Sequence, residues 1–572
     1  MNLKHFSFIL LAVFLASCAN RGIGPQGGPK DTVPPMVRGC EPEMGVLEFK
    51  GKRIEVSFDE YIQLDNIAQN LLMSPPQQTP PDVKARGKKL IVQFQDTLRD
   101  STTYTIDFGN AVCDYREKVP LRGFLYYFST GSSIDTLAYT GYVYDAENLN
   151  PRPNIFVGIH ENMEDSAFTK EPFLRVTRTD STGFFRIANM REGSYRLYAV
   201  DDISRDYRFT PGEAIAYYDE TITPLDTTAA ILYLFKEQQQ KLYLQRTLRD
   251  EQHKIRFSFS APPDSLPELT FLTDSINYHT QYSAKGDTIT IWLLDSASIG
   301  QDSLFIEARY RRTDSLYHLE WATDTLRAIW RAPHLTAKAK AALERKNRNR
   351  RLELKSNARQ GFEMNDTLRL FCSTPLATIE PDSFHLYERV DSVLKPVPFT
   401  MADHDSLPME LVFKADLKPD KKYELHVDSG ALHDIYGITH IAGTYALQVK
   451  TPADYSTLRV KLNPFVEHAR IQVMDKQDKV VRELPAVPEG AFFEYLRPDT
   501  YYLRFYVDEN EDGQWTTGDW TEKRQPEAVF YFPESIQTKS NWDFEEEWDY
   551  TAVEQVTAKP AELIKASSNA KK

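Results

Sequence analysis

The sequence has few of the residues on which catalytic and metal centres depend. It holds four cysteines and twelve histidines in 572 residues, and the histidines are scattered without metal-ligand spacing. No G-x-S-x-G, H-E-x-x-H or C-x-x-C sequence occurs, which disfavours the nucleophilic, zinc-dependent and dithiol chemistries of those motifs. Asp403-His404-Asp405 joins an imidazole to carboxylates, but in a polar stretch with no nucleophile nearby. We therefore predict that the protein is not an enzyme.

Positive charge and helical periodicity are also scarce. The net charge of −14 argues against nucleic acid or an anionic membrane surface as the main partner. A hydrophobic content of 41% and a charged content of 26% are typical of globular domains, and 12% aromatic residues favour strands. The one strong helical candidate is the basic stretch 334–352, which we predict to be a solvated linker helix.

Beyond the first fifteen residues, no apolar run approaches the 18 needed to span a bilayer. At the start of the chain, Lys4 precedes an apolar run over residues 6–15. About ten residues form about 15 Å of helix, half the hydrocarbon thickness. Residues 1–17 are therefore predicted to be a cleaved secretory signal.

The sequence Leu15-Ala16-Ser17-Cys18 resembles the lipobox of bacterial lipoproteins. The resemblance implies that the Cys18 thiol is diacylated, that cleavage follows Ser17 and that the new amino terminus is acylated. Several acyl chains, at about 0.8 kcal/mol per buried methylene, give a stable anchor. The alternative is an ordinary secreted protein with a cysteine near its cleavage site by chance.

Residues 18–33 are rich in Gly and Pro and are predicted to be a flexible tether. Ala19 gives no reason for retention in the inner membrane. The acidic residues that often follow the cysteine in surface-exported lipoproteins of the Bacteroides group are absent. We therefore expect a lipid anchor in the outer membrane, with the periplasmic face favoured over the cell surface.

Apolar and polar residues alternate with a period of two along most of the chain, as in Ile54-Glu-Val-Ser-Phe58. This alternation, with turn residues at short intervals, is typical of strands with one buried face. The predicted fold class is all-β, a series of tandem antiparallel β-sandwiches.

Two internal repeats predict how these sandwiches are organised. Tyr104, with its flanking residues, recurs as Tyr423, which indicates one domain type at residues 34–131 and again at 353–452. Tyr195 and the polar residues up to Glu213 recur at a constant offset from Tyr501 to Asp519, which indicates a second type at 137–222 and 456–548. Residues 223–333 are predicted to form a central sandwich, and residues 549–572 a disordered tail.

The first 130 residues resemble the SbsA-type bacterial immunoglobulin-like domain of Bacteroidota lipoproteins. The residues that carry this resemblance are Gly27-Gly28-Pro29-Lys30-Asp31-Thr32-Val33-Pro34-Pro35, Ile54 to Glu60, Tyr104-Thr-Ile106 and Phe128-Ser-Thr-Gly131. Residues 137–222 resemble a carboxypeptidase-regulatory or prealbumin-like sandwich, through Gly141-Tyr-Val143, Asp180-Ser-Thr-Gly183-Phe-Phe185 and Gly193-Ser-Tyr195. Both resemblances imply non-catalytic spacer, adhesion or scaffold modules.

One loop has the spacing of a calcium site. Oxygen donors stand at loop positions 1, 3, 5, 7 and 12, with Gly513 at position 6; they are Asp508, Asn510, Asp512, Gln514 and Asp519. Asp519 replaces the usual bidentate Glu, and a polar hairpin loop would have the same composition. The upstream copy has Tyr207 where the glycine should be, so we predict a structural role there.

The sequence leaves two kinds of covalent modification open. Cys40 and Cys113 fall in one predicted domain of an exported protein, so they either form a disulfide or remain separate buried thiols. The recurring Asp-Ser/Thr-aliphatic sequence resembles the O-glycosylation acceptor of Bacteroides-group exported proteins. The representative sites are Thr97, Thr136, Thr288, Thr325 and Thr367. Asp-Ser/Thr turns entering strands give the same pattern.

Three functions fit these features. The favoured hypothesis is an extended structural scaffold that contacts other cell-envelope proteins. The alternative is a glycan-binding lipoprotein that uses Trp515, Trp520 and Trp542 as stacking platforms. The third is a hydrolase whose site is dispersed over several loops.

Overall fold

The computed structural model describes residues 31–237, 242–273, 276–314, 319–331, 336–339, 341, 345, 350–402 and 407–565. The chain is nearly all-β, with 46% strand and 5% helix, and most strand pairs are antiparallel, so the predicted fold class is confirmed. The predicted signal, Cys18, most of the tether, most of the linker helix 334–352 and the last seven residues lie outside the described residues. Among the described residues, no helix is both long and apolar enough to cross a membrane.

The first sandwich covers residues 37–129. Its elements are β1 (Val37–Glu41), β2 (Arg53–Phe58), β3 (Ile62–Leu64), α1 (Ile67–Asn70), β4 (Leu72–Ser74), β5 (Asp82–Arg86), β6 (Lys89–Gln93), β7 (Thr103–Asp107), β8 (Val112–Asp114) and β9 (Leu125–Ser129). They form sheets β1-β2-β6-β5, β3-β8 and β4-β7-β9. Ile54, Val56 and Phe58 all point into the core because successive side chains of a strand alternate between faces.

The second sandwich covers residues 137–236. Its elements are β10 (Leu137–Asp145), β11 (Phe156–His160), α2 (Ala167–Lys170), β12 (Arg175–Arg178), β13 (Phe184–Met190), β14 (Arg196–Val200), β15 (Ala214–Tyr217) and β16 (Ala230–Lys236). The strand order is β12-β11-β14-β15-β16-β10-β13. Strand β16, assigned by sequence to the central domain, belongs here instead, because it pairs in parallel with β10 and buries Leu232 and Leu234 in this core.

The third sandwich covers residues 244–329. It contains β17 (Leu244–Glu251), β18 (Lys254–Phe259), β19 (Glu268–Phe271), β20 (Tyr278–Tyr282), β21 (Thr288–Leu293), α3 (Ser296–Ile299), β22 (Ser303–Thr313) and β23 (Leu319–Ile329). Two sheets, β17-β18-β21-β20 and β19-β22-β23, enclose its core.

The fourth sandwich covers residues 354–449. It contains β24 (Leu354–Ser356), β25 (Gln360–Phe362), β26 (Leu368–Cys372), β27 (Leu376–Ile379), β28 (Phe384–Val390), β29 (Val393–Pro396), β30 (Phe399–Met401), β31 (Glu410–Ala415), β32 (Lys422–Val427), β33 (Leu432–Asp434) and β34 (Gly443–Val449), with a short 3-10 helix at Pro381–Ser383. A second 3-10 helix, Pro452–Asp454, connects it to the fifth sandwich. Its sheets are β24-β26-β31-β30, β25-β34-β32-β28-β29 and β27-β33.

The fifth sandwich covers residues 456–549. It contains β35 (Ser456–Asn463), β36 (Ala469–Met474), β37 (Val480–Pro485), β38 (Ala491–Leu496), β39 (Thr500–Val507), β40 (Val529–Tyr531), β41 (Ile536–Gln537) and β42 (Asp543–Asp549), and a 3-10 helix follows at Ala561–Leu563. Its sheets are β38-β35-β42 and β37-β36-β39-β40, and β41 pairs with β39.

The first and fourth sandwiches share their strand pairing. The order β1-β2-β6-β5 corresponds to β24-β26-β31-β30, and the pair β3-β8 corresponds to β27-β33. The repeated tyrosine has the same role in both: the Tyr104 hydroxyl accepts the Arg99 N–H at 2.8 Å, and the Tyr423 hydroxyl accepts the Lys418 N–H at 2.8 Å. In each case the phenol caps the turn that precedes its own strand.

The second and fifth sandwiches also correspond. Strand β10 is antiparallel to β13 and parallel to β16, and β35 is antiparallel to β38 and parallel to β42. The Tyr195 hydroxyl donates to the Arg191 carbonyl at 3.1 Å, and the Tyr501 hydroxyl donates to the Arg497 carbonyl at 2.8 Å. These two sandwiches are therefore two copies of one structural unit.

A histidine lies where the third and fourth sandwiches meet. The His253 ring lies 5.1 Å from the Tyr436 ring, whose hydroxyl donates to the Leu293 carbonyl at 3.0 Å. Burial, with a smaller effect of Arg350, lowers the pKa of His253 below its ordinary value of 6.5. Neutral His253 therefore fits this junction better than charged His253.

Acidification is expected to weaken the fold through His253. Because its pKa is depressed in the folded state, the unfolded chain binds the extra proton first, and stability falls as the pH decreases through 6.5 toward the folded pKa. Each unit of pKa difference is worth about 1.4 kcal/mol. In urea unfolding measured between about pH 7 and pH 5, His253→Gln should show a shallower loss of stability than the parent. An unchanged pH profile would contradict this assignment.

Candidate interface between the second and fifth sandwiches

The second and fifth sandwiches pack directly against each other through two insertions. The first is a loop over residues 517–526 of the fifth sandwich, here called the docking loop. Its Trp520 ring is 9% exposed and lies 5.2 Å from the Phe168 ring and 5.2 Å from the Tyr217 ring of the second sandwich, both in edge-to-face geometry. Such aromatic pairs add about 0.5–1.5 kcal/mol each beyond the area that they bury.

Polar contacts fix the docking loop in place. The Glu237 carboxylate accepts the backbone N–H of Trp520 at 2.7 Å, and the Thr517 hydroxyl donates to the Lys236 carbonyl at 3.0 Å. The backbone also approaches closely, since a Cβ added to Gly518 would come within 2.6 Å of the Phe235 ring. Only glycine fits at that position without displacing the aromatic ring.

The second insertion runs in the opposite direction. Leu149, in the loop after β10, is 1% exposed and packs among fifth-sandwich residues that include Tyr506 and Tyr531. The Arg504 guanidinium donates to the Glu147 carbonyl at 3.1 Å beside this contact. Each sandwich thus places a loop on a sheet of its neighbour. The docking loop lies on β11-β14-β15 of the second sandwich, and the loop that carries Leu149 lies on β36-β39-β40 of the fifth.

Residues 550–565, the C-terminal segment, close the junction. Lys559 donates to the Asp478 carboxylate at 2.8 Å and to the Asn148 carbonyl of the second sandwich at 2.7 Å. Both charged side chains are almost inaccessible, at 1% and 4% exposure. Burial lowers the pKa of Lys559, and Asp478 opposes that effect. This ion pair therefore joins the C-terminal segment to both sandwiches.

Two predictions are corrected by these contacts. The part of the predicted disordered tail that the structure describes is ordered, because Gln555 bonds Tyr233 and the Val529 carbonyl while Leu563 is 1% exposed. The scaffold that the sequence predicts to be extended is folded back instead, because the fifth sandwich buries its docking loop in the second. Nothing in the sequence indicated which aromatic residues of the two sandwiches would contact each other.

The predicted calcium loop does not bring its five ligands together. Asp508 accepts the N–H groups of Asp512 at 3.1 Å and Gly513 at 2.9 Å. Asp519, placed at position 12 by the sequence, instead accepts the Glu522 N–H in the docking loop. Among the described residues no cluster of three or more His, Cys, Asp or Glu has a metal-binding arrangement.

The other two predicted donors take part in the loop's own hydrogen bonds. The Asn510 amide donates to the Asp512 carboxylate at 3.1 Å, and the Gln514 N–H donates to Asp512 at 2.7 Å. Calcium binding by these remaining oxygens stays a prediction. A Ca²⁺-dependent rise in melting temperature that Asp512→Asn removes would support it.

Glu527 is the acid that closes this loop. Its carboxylate accepts the N–H groups of Glu509 at 3.1 Å and Thr516 at 2.8 Å. Burial raises the pKa of Glu527, and the nearby Asp508 and Asp512 raise it further. Sequence reasoning missed this residue because it lies well beyond the regular spacing of the motif.

The second sandwich contains the same arrangement with a shorter loop. Its Glu213 accepts the N–H groups of Ile203 at 3.2 Å and Thr210 at 3.0 Å. The closing acid follows three residues after Thr210 in this copy and eleven residues after Thr516 in the fifth sandwich. Glu527 therefore corresponds to Glu213, and the additional residues of the fifth copy form the docking loop that carries Trp520.

The disulfide that the sequence left open is not formed. Cys40 and Cys113 are free thiols. Cys40 lies opposite Val56 in the four-stranded sheet, whereas Cys113 lies opposite Gln63 in the separate β3-β8 pair and its thiol is 3.4 Å from the Asn110 carbonyl. The two residues share a domain but belong to different sheets.

The predicted glycosylation sites differ in environment. Thr97 and Thr136 are exposed in loops. Thr288, which begins β21, and Thr367, which directly precedes β26, are half-buried. Thr325 is exposed but lies in the middle of β23, opposite Glu307, rather than at a turn. Modification of these residues stays a prediction.

Two of the three predicted stacking tryptophans are not available as platforms. Trp520 is buried against the second sandwich, and the half-buried Trp515 packs at the same junction while its indole N–H donates to the Glu527 carbonyl at 3.0 Å. Trp542 is 56% exposed. Glycan binding through Trp542 therefore stays a prediction, as does the dispersed hydrolase site.

Comparison with known proteins identifies part of the chain. A family model described as a bacterial Ig-like domain matches residues 31–130, so the N-terminal region contains a bacterial Ig-like domain. No curated protein matches the sequence.

Solved structures give distant matches. The N-terminal part of the bacterial S-layer protein SbsC aligns at 14% identity over 30% of this chain and 43% of that chain, less than half its length, with a TM-score of 0.17. The SGBP-B protein of the Bacteroides ovatus mixed-linkage glucan utilization locus, in complex with a mixed-linkage heptasaccharide, aligns at 9% identity over 62% and 86% of the two chains, with a TM-score of 0.18.

Proposed function

We propose that the protein is a non-catalytic scaffold of the bacterial cell envelope, of the Bacteroidota lipoprotein type, that contacts other envelope proteins. The observation that carries the proposal is the reciprocal packing of the second and fifth sandwiches. Because the chain passes through the third and fourth sandwiches before it returns to the second, this packing closes the chain into a frame.

A closed frame suits a scaffold because it fixes the relative positions of its surfaces. Domains of one chain usually move relative to each other unless their interface is large and apolar. Here Trp520 and Leu149 are buried from opposite sides of the interface, and the Lys559–Asp478 ion pair lies within it. A partner that touches two sandwiches therefore meets a surface already arranged for binding, which reduces the entropy lost on association.

Crosslinking in intact cells tests the scaffold proposal. Mild crosslinking followed by affinity capture of the parent chain should recover the same envelope protein repeatedly. The Trp520→Ala variant, with its frame opened, should recover at least several-fold less of that partner. Trp542→Ala is the matched control, because it removes an exposed indole and leaves the frame intact. Failure to recover any reproducible partner would contradict the proposal.

We further propose that the frame is held at the periplasmic face of the outer membrane by acyl chains on Cys18. Cys18→Ala should release the protein from the membrane fraction into the soluble fraction, because multiple acyl chains supply the anchoring free energy. Radiolabelled palmitate should label the parent and not the variant. Protease added to intact cells should leave the protein uncut if it faces the periplasm, and cleavage would place it on the surface.

A further inference from the structure

Exposed apolar side chains lie at the end of the first sandwich where the chain enters it. Met36 is 52% exposed, Tyr61 63% and Tyr115 65%. Val33, three positions before Met36, is 57% exposed. These four residues are here called the entry patch. Single exposed apolar residues are common on protein surfaces, whereas a contiguous group of them marks an interaction surface.

The backbone holds the members of the entry patch side by side. The Asp59 N–H donates to the Met36 carbonyl at 3.1 Å, and the Tyr115 N–H donates to the Tyr61 carbonyl at 3.0 Å. The Met36 N–H in turn donates to the Asp59 carboxylate at 2.8 Å. The Lys88 ammonium lies 5.7 Å from the centre of the Tyr61 ring. Segments that are distant in sequence therefore form one surface at this end of the sandwich.

The first sandwich packs against the second through other residues. The Arg175 guanidinium donates to the Thr103 carbonyl at 2.7 Å. The Arg205 guanidinium donates to the Gln69 carbonyl at 2.9 Å. The entry patch lies outside these contacts, so the packing of the sandwiches leaves it exposed.

Charges of both signs surround the entry patch. The loop at its edge reads Tyr115-Arg-Glu-Lys118, and the Arg38 guanidinium lies 3.9 Å from the Asp59 carboxylate. Asp31 and Glu60 add two carboxylates close to each other. A surface of mixed charge is not drawn to an anionic bilayer as a basic patch would be. It suits zwitterionic head groups, which present a phosphate and an ammonium together.

The position of the patch along the chain indicates what covers it. Asp31 is the first described residue, and it stands 13 positions after Cys18. A chain of that length reaches at most about 45 Å even when fully extended. Acyl chains on Cys18 would therefore keep this end of the first sandwich close to the bilayer, which raises the effective concentration of lipid at the patch.

We propose that the entry patch rests on a zwitterionic bilayer surface, with Tyr61 and Tyr115 at the level of the head groups. Tyrosine is enriched at membrane–water interfaces because its ring is apolar and its hydroxyl is polar. Met36 and Val33 supply apolar contact beside the two rings. The inference rests on the proposed anchor at Cys18 and adds which end of the molecule faces the membrane.

Hydroxyl-radical footprinting of the full chain tests the proposal, because it labels exposed methionine and tyrosine side chains. The probe is vesicles of phosphatidylcholine and phosphatidylethanolamine, added to the parent and to Cys18→Ala. Labelling of Met36, Tyr61 and Tyr115 should slow several-fold in the parent. Tyr243 and Tyr282, each 44% exposed in the third sandwich, are internal controls and should keep their rates.

Flotation of the same samples separates the patch from the anchor. A parent that floats with the vesicles while its entry patch is labelled as fast as without lipid would overturn the proposal and leave the anchor standing. A parent that does not float, with slower labelling of the patch in excess lipid, would support the patch and contradict the anchor. Unchanged labelling in both chains, or protection that requires phosphatidylglycerol, would overturn the proposal.

Paired variants of the parent show whether the two tyrosines carry the contact. In Tyr61→Ser/Tyr115→Ser, labelling of Met36 in the presence of vesicles should return toward its lipid-free rate. Tyr243→Ser/Tyr282→Ser removes two exposed tyrosines elsewhere and should leave Met36 protected. Equal behaviour of the two pairs would overturn the proposal. An unchanged labelling pattern without lipid establishes that each variant is folded.

Discussion

Replacing Lys559 with methionine is expected to lower the free energy of unfolding by about 3–5 kcal/mol. The substitution keeps the length of the side chain but leaves the Asp478 carboxylate, 4% exposed, without its cation. It also removes the donor to the Asn148 carbonyl of the second sandwich. The loss is large because a buried charge without a partner bears the full cost of its desolvation.

The measurement is urea unfolding followed by intrinsic fluorescence, with hydrogen exchange to locate the effect. Faster exchange should be confined at first to β39, β40 and the C-terminal segment, which surround the ion pair. A loss below about 1 kcal/mol would place Lys559 among ordinary surface lysines and contradict the burial seen here.

The double variant Lys559→Met/Asp478→Asn is the control. Asp478 has a positive φ of 61°, a conformation that asparagine also adopts readily. With both charges removed, no buried charge is left unpaired, so the double variant should lose less stability than the sum of the two single variants. Additive losses would show that the two charges act independently.

Trp520→Ala is expected to destabilise the chain by about 3–5 kcal/mol and to open the frame. The indole fills a position between Phe168, Tyr198 and Tyr217, and alanine leaves a cavity that the surrounding strands cannot close. Small-angle scattering should report a larger radius of gyration, and proteases should cut the docking loop. Trp520→Phe, which keeps a ring in the same place, should lose less.

Trp542→Ala provides the comparison for Trp520→Ala. Trp542 is 56% exposed, and substitutions of exposed residues usually change stability by less than about 0.5 kcal/mol. The scattering curve of this variant should match that of the parent. Comparable opening in both variants would contradict the assignment of Trp520 as the residue that holds the frame.

The sequence determined the kind of local structure because alternation of apolar and polar residues is a local property. Each strand needs one buried face, so Ile54, Val56 and Phe58 could be assigned to a strand without knowledge of their neighbours. The repeated tyrosines were informative for the same reason. Tyr104 and Tyr423 cap turns a few residues away, and that contact is encoded within a short stretch of chain.

The positions of the strands relative to one another were not local and could not be obtained in the same way. Strand β16 pairs with β10 across some ninety residues, and periodicity does not show which partner a strand chooses. The cysteines illustrate the same limit, since Cys40 and Cys113 are in one domain but belong to different sheets. A constant offset also misled at Asp519, because the longer loop of the fifth sandwich shifts the closing acid to Glu527.

The sequence by itself thus determined an all-β chain with two repeated domain types, and it predicted an exported protein anchored at Cys18. Only the tertiary structure decided that the second and fifth sandwiches close on each other. That contact depends on aromatic side chains such as those of Tyr198 and Trp520. The sequence is the same whether such a side chain faces solvent, a ligand or another sandwich. Burial separates these cases, and burial depends on how the whole chain packs.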